Sequence, residues 1–424
     1  MPNRTTHSVM LGLALLASAA THTLAQEAQP SGSTKALDDL LLPVDKGGSL
    51  TWVSVVEPGE SIFPSLVVGQ ATIKPDEADE DPTALGDPMG LLGVGIVSPG
   101  IALPVRVTVS APDIMEESAF TGKLMKEGET YAISPKIKWK FKELLKSRQQ
   151  MPVNVTFKVK VGNRPEEEKT QTVTLRTIND CPYVMHIGDE VRDTRWMFAA
   201  YVNEDHPWVD QILKESLGTG IVDSFIGYQS GKEEDVLNQV FSIWQTLQKR
   251  GIRYSDVSTN SIESATVASQ HVRFLDESIV AHQANCVDGA IMFASLLRKI
   301  GLQPSLVFVP GHCYLAVSIT RDGSRTIGLE TTVIGKAVHE DFEKPTLHLR
   351  PSFEKASLDT FNLAVKIGSE NLASHLPKIN DPLNEDHVMI SIAEAREIGV
   401  RPMPYVPAEA ASQPPTAPAK PGKD

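Results

Sequence analysis

The spacing of hydrophobic positions changes once, sharply, near Asn179. From about Ser49 to Thr177, apolar residues alternate with polar ones or gather in β-branched runs: Leu50 to Val56, Val94 to Val97, Leu103 to Val109, Val153 to Val161 and Gln171 to Leu175. Turn residues separate these runs, Pro58-Gly59, Pro99-Gly100 and Gly162-Asn163 among them. Short period-two segments with frequent turns predict an antiparallel, Ig-like β-sandwich over residues 49–178.

Beyond Asn179 the period lengthens. Val236, Leu237, Val240, Phe241, Trp244 and Leu247 recur at helical spacing, and Gly251 follows where a left-handed residue closes a helix. A second helix is predicted from about Cys286 to Ile300, with Ala290, Phe293, Ala294, Leu297 and Ile300 on one face and Gly301 after it. Short strands then read from Ser305 to Val309, Tyr314 to Thr320 and Thr326 to Val333. The expectation is an α+β chain whose second domain, residues 179–400, feeds a helix into an antiparallel sheet.

The chain ends read differently. Arg4 precedes an apolar or small stretch from Val9 to Ala20, and Thr23-Leu24-Ala25 has a small-x-small form. This predicts a cleaved signal peptide over residues 1–25 and a secreted or periplasmic protein, because the stretch is too short to span a bilayer. Residues 26–48 read as a linker, and the Pro/Ala-rich residues 401–424 as a disordered tail. The acidic run Asp76, Glu77, Asp79, Glu80, Asp81 lacks the spacing of a calcium loop and reads as solvated.

Charge and cysteine content narrow the function. The 424 residues carry 40 basic and 53 acidic side chains, a net charge of −13. An acidic chain without a basic block is a poor fit to the phosphate backbone, so no nucleic-acid partner is expected. Three cysteines are too few for a disulfide scaffold. No later run is long and apolar enough for a membrane span. Gly227-Tyr-Gln-Ser230-Gly231-Lys232 lacks the spacing of a phosphate loop, and there is no zinc-protease or dinucleotide signature. Neither cofactor nor metal is expected.

Three residues stand out by position. Cys286 opens the second predicted helix, where unpaired N–H groups and the positive end of the dipole favour a thiolate. His312 follows the Pro310-Gly311 turn at the head of a strand, and Glu330 lies on the next strand. Nucleophile, proton acceptor and orienting carboxylate are what acyl transfer requires. The set depends on hairpin register. A two-residue Asp322-Gly323 turn would place Glu330 opposite Leu315, away from His312. A three-residue loop with Gly323 left-handed pairs positions summing to 644, so Glu330 lies opposite Tyr314 and diagonal to His312, within reach of a long carboxylate.

The run Gln283-Ala-Asn-Cys286-Val-Asp288-Gly-Ala-Ile-Met-Phe-Ala-Ser-Leu-Leu-Arg298-Lys-Ile-Gly301, followed by Gly311-His312 and Glu330-Thr-Thr, resembles the transglutaminase-like superfamily. Ile252-Arg-Tyr254 and Gln270-His-Val-Arg273 sit where that fold leads into its nucleophile helix, so the resemblance covers about residues 235–335. It implies a papain-like site with Cys286 as nucleophile, His312 as base and Glu330 as third member. Glu330 stands where Asp is usual, and Cys313 where an aromatic often follows the histidine; Tyr314 comes one later.

Each residue also has a plainer reading. Cys286 could be a small buried hydrophobe, His312 a turn histidine, Glu330 a surface carboxylate. Gln283 is either an oxyanion donor or a loop residue. Asp288 either orients a neighbour or complements the helix dipole, and Tyr314 is kept as a supporting candidate. Cys313 alternates away from His312 and should pack inside; pairing with Cys181 stays open. His282, Cys286, His312 and Cys313 can be drawn as a zinc site only if strand neighbours converge. The expected activity is that of a cysteine peptidase, amidase or acyltransferase on a peptide or protein, cell-wall peptide included. The alternative is an inactive binding or structural module of the cell envelope.

Overall fold

The computed structural model describes residues 49–74, 81–187, 190–256, 262–264, 266–336 and 353–407. The predicted signal peptide and linker lie outside the described residues, as does most of the acidic run. The chain mixes helices with several largely antiparallel sheets, an α+β composition.

Met151–Val161 explains how the first part folds. Val153, Val155, Phe157, Val159 and Val161 point inward while Asn154, Thr156, Lys158 and Lys160 alternate outward. This strand pairs antiparallel with Glu167–Leu175 on one side and Leu103–Ser110 on the other. A second sheet carries Trp52–Val56, Leu92–Val97, Thr130–Ser134 and Ala84–Gly86. Trp52, Val94, Ile96, Tyr131 and Ile133 from it share one buried apolar cluster with the first sheet. Each such side chain contributes roughly 1.5–3 kcal/mol. The sheets are not purely antiparallel as expected. Ser61–Ile62 joins Glu167–Leu175 in parallel, as Ala84–Gly86 joins Thr130–Ser134, because both short strands enter from loops rather than tight hairpins.

The second part does not begin with helices. Asp180–Ile187 pairs with Val267–His271 and Glu190–Asp193 before any long helix appears. The helix Glu233–Lys249 then buries Val236, Val240, Ile243, Trp244 and Leu247, and Gly251 takes the left-handed conformation (φ 78°) that ends it. The helix Cys286–Lys299 is buried on every side from Val287 to Leu297. It packs against the helices Pro207–Leu217 and Leu275–Ala281 and against the following sheet, so an apolar surface all round is what its position demands.

That sheet runs Thr326–Leu329, His312–Ser318, Pro304–Val309, Val388–Ser391, antiparallel throughout. Leu315 faces Leu329 and Ala316 faces Gly328, the register summing to 644, with Gly323 left-handed (φ 70°). The loop is wider than three residues: the last strand-to-strand backbone link is Ile319 N–H to Arg325 O, and inside it Gly323 N–H donates to Thr320 O (3.1 Å). The two faces have different neighbours. Leu306, Cys313, Leu315, Val317 and Ile390 pack on the side of the Cys286–Lys299 helix. Val307, Tyr314 and Ala316 pack with Leu372 and Ile379 from a 27-residue helix, Phe353–Ile379, absent from the sequence expectation.

This long helix closes the sheet edge where another strand would otherwise pair. Gly328 N–H donates to Ser369 Oγ (3.2 Å) and Glu330 N–H to Ala364 O (3.0 Å). Gly328 and Gly368 make the approach possible: a Cβ on Gly368 would lie 2.5 Å from the Gly328 carbonyl carbon. Gly368→Val should therefore push helix and strand apart, lowering denaturant stability by about 1–3 kcal/mol or more and moving Glu330. An unchanged unfolding midpoint would contradict this packing.

The expected disordered tail starts too early at Arg401. Met403 is buried, its N–H donates to Ala200 O (2.8 Å), and its carbonyl accepts from Asn203 Nδ2 (3.0 Å). Residues 408–424 lie outside the described residues.

Candidate active site

Gln283–Ala284 runs parallel to Arg253–Tyr254, and the chain turns into the helix at Asn285. Asn285 Oδ1 accepts from Asp288 N–H (2.8 Å), while Asp288 Oδ2 accepts from Asn285 N–H (3.2 Å). This reciprocal cap satisfies two helix-end donors and places Cys286 as the first helical residue, half-buried at the edge of the core. Asp288 is fully buried and also accepts from Arg273 N–H (2.9 Å), with the Arg273 guanidinium 3.6 Å away. Burial pushes its carboxyl above the usual range, against the backbone donors of Arg273 and Asn285. Asp288 thus ties the segment before the site to the helix turn that carries Cys286.

The sheet supplies the rest. His312 Nε2 lies 2.8 Å from Glu330 Oε2. The Cys286 thiol is the largest influence that raises the same ring, and with Nε2 turned to Glu330, Nδ1 is the ring nitrogen left for it. Glu330 is buried; its Oε1 accepts from Thr332 N–H (3.1 Å) and Thr332 Oγ1 (2.7 Å). It is not itself a strand residue. The ladder ends at Leu329, and Glu330 caps the short 3₁₀ turn Thr331–Val333. Gly289 lets the Cys286–Lys299 helix approach that turn, since a Cβ there would lie 2.8 Å from Thr331 Oγ1.

The electrostatics follow from the contacts. The Cys286 sulfur and then Glu330 push the His312 imidazole up to about 10 from 6.5, against burial. Burial opposes ionisation of Glu330, but hydrogen bonds from His312 and Thr332 outweigh it and hold the carboxyl below its usual value. For stability, the raised imidazole contributes fully below pH 6.5, and its share is lost as pH rises from 6.5 toward 10. The Glu330 share is present above pH 4.5 and lost as pH falls through its depressed folded value.

Of the remaining candidates, Tyr314 stands under His312, with ring centroids 6.1 Å apart and planes 23° from parallel. Gln283 is exposed, and its carboxamide makes no hydrogen bond among the described residues, so it stands outside the bonded set. Cys313 faces the core, where burial drives its thiol far up; Cys181 is equally buried, and all three cysteines are free. His282 turns its Nδ1 to Arg250 O (2.7 Å), so it does not converge with Cys286, His312 and Cys313.

Two neighbours had no role in the sequence reading. Tyr254 donates to Asp256 Oδ1 (2.8 Å), and its phenol is pushed up by burial, by Asp256, and by the nearness of Cys286 and Glu330. His375, on the long helix, bonds Tyr314 Oη (3.1 Å). The helical spacing of Phe361, Ala364, Gly368, Leu372 and Ile379 was a signal for that helix. Comparison with protein-family models and with curated proteins finds no match to this chain.

Proposed function

We propose that residues 179–400 are a transglutaminase-like thiol enzyme that hydrolyses an amide bond of a peptide or protein substrate. The observation that carries this reading is the bond between His312 and Glu330, at a strand head and a strand end, with the Cys286 thiol at a helix start as the largest influence on the same ring. In this scheme His312 Nδ1 takes the thiol proton while Glu330 steadies the resulting imidazolium. The Cys286 sulfur attacks the carbonyl carbon, and the first N–H groups of the helix, without intrahelical acceptors, stabilise the oxyanion. Collapse expels the amine, which receives its proton from His312. Water, deprotonated by the same ring, then cleaves the thioester and restores the thiol.

Hydrolysis rather than transfer to a second amine fits an open site: the His312 side chain is 30% exposed. Two sheets sharing one core support an Ig-like sandwich as the N-terminal partner. A cell-wall peptide is one substrate of this chemistry. The test is labelling by electrophilic peptide probes, wild type beside Cys286→Ala, with the adduct mapped by mass. Label on Cys286 alone is expected. A folded protein that no such probe labels would instead be a binding module with this fold.

Export rests on the N-terminal pattern of Arg4, the Val9 to Ala20 stretch and Thr23-Leu24-Ala25. Protein recovered from outside the cytoplasm should begin near Gln26; recovery of the same material with Met1 intact would overturn cleavage.

A further inference from the structure

Behind the catalytic ring runs a series of rings that the acyl-transfer scheme does not use. Tyr314 follows His312 on the same strand face and is fully buried. Its hydroxyl has one hydrogen-bond partner among the described residues, His375 Nδ1 at 3.1 Å. His375 comes from the last turns of the Phe353–Ile379 helix, and its ring centroid lies 5.4 Å from that of His387. His387 Nδ1 is in turn 3.0 Å from Asn384 Oδ1.

We propose that His375 is a positioning residue acting on His312 through Tyr314, and that its protonation turns the thiol site down. This rests on the reading of Cys286 and His312 given above. With His375 neutral and its proton on Nε2, Nδ1 carries a lone pair and the Tyr314 hydroxyl donates to it, fixing the phenol beneath the His312 ring. A protonated His375 can only donate at Nδ1. The buried phenol must then turn its own proton toward a site that offers no acceptor among the described residues. A second cation also appears behind the His312 imidazolium.

The charges facing His375 have a consistent sign. His312 approaches from the strand, His387 from the segment before Val388, and Lys378 from its own helix; Asp386 and Arg195 lie beyond, toward His387. Burial first, then His387, Lys378 and His312, holds His375 below the ordinary value, so it is neutral at neutral pH. Coupling is reciprocal: if His312 hinders protonation of His375, a charged His375 weakens the hold of His312 on its proton equally. The imidazolium that accompanies the thiolate is then less favoured.

The experiment is the pH profile of Cys286 alkylation by iodoacetamide in wild type, Tyr314→Phe and His375→Gln. Removing the hydroxyl deletes the donor that favours neutral His375, so Tyr314→Phe should move the acid limb to higher pH. His375→Gln cannot charge and should move it to lower pH. Displacements of about half a pH unit, about threefold in rate on the limb, are expected. An NMR titration of His375 reads the same coupling without alkylation, and its midpoint should rise in Tyr314→Phe. Both variants slowing alkylation by one factor at every pH, or an unmoved His375 midpoint, would leave the thiol site standing and overturn this proposal. A wild-type Cys286 that does not alkylate would overturn both.

Discussion

Cys286→Ser should abolish probe labelling and turnover while leaving the fold in place. The side chain is half-buried at the first position of its helix, and the cap that holds this turn is made by Asn285 and Asp288, not by Cys286. Serine fills nearly the same volume, so denaturant stability should change by less than about 1 kcal/mol. Its hydroxyl is far harder to deprotonate than a thiol, so the proposed thiol chemistry loses its nucleophile. Cys313→Ser is the control with the opposite signature. That thiol is buried against the core, so placing a hydroxyl there should cost about 1–3 kcal/mol and leave labelling of Cys286 intact. If Cys313→Ser removes the label and Cys286→Ser does not, the wrong thiol has been chosen.

Glu330→Gln should lower turnover by roughly one to three orders of magnitude, short of the approximately 10⁴-fold loss in a serine triad. The reason is tautomeric as well as electrostatic. Thr332 N–H and Oγ1 donate to Glu330 Oε1, so the glutamine keeps its carbonyl there and turns its amide nitrogen toward His312 Nε2. The His312 Nε2 must then accept from the amide, which forces the imidazole proton onto Nδ1, the atom that has to take the proton from the thiol. Loss of the carboxylate also removes the second-largest support of the imidazolium. An alkaline limb near pH 10 in wild type should accordingly move toward neutrality, because the raised imidazole is what persists to that pH. The glutamine retains the Thr332 bonds, so the loss of stability should be confined to the share of the His312–Glu330 pair, present between the depressed carboxyl value and about pH 10. A fully active Glu330→Ala, or an alkaline limb that stays in place, would reduce the site to a cysteine–histidine pair.

The sequence by itself determined those features that rest on short-range regularities. The alternation from Met151 to Val161, the helical spacing around Trp244, the helix start at Cys286 and its stop at Gly301 all follow from side-chain periodicity and left-handed glycines, which need no distant partner. The same regularities placed Cys286 at a helix start, His312 at a strand head and Glu330 within the next strand, and made their meeting depend on one hairpin register, the register observed; that the strand stops at Leu329, before Glu330, was not legible. Everything that depends on distant segments was decided only by the tertiary structure. The parallel edge strands, the sheet built on Asp180–Ile187 and the docking of Met403 join residues far apart in the chain. The long helix had a legible period, but nothing local shows that Gly328 and Gly368 would let it close a sheet edge, set the Glu330 backbone and carry His375 to Tyr314. Periodicity specifies which face of an element is apolar; which surface covers that face is set by the packing of the whole chain, and the environment of His312 was settled there.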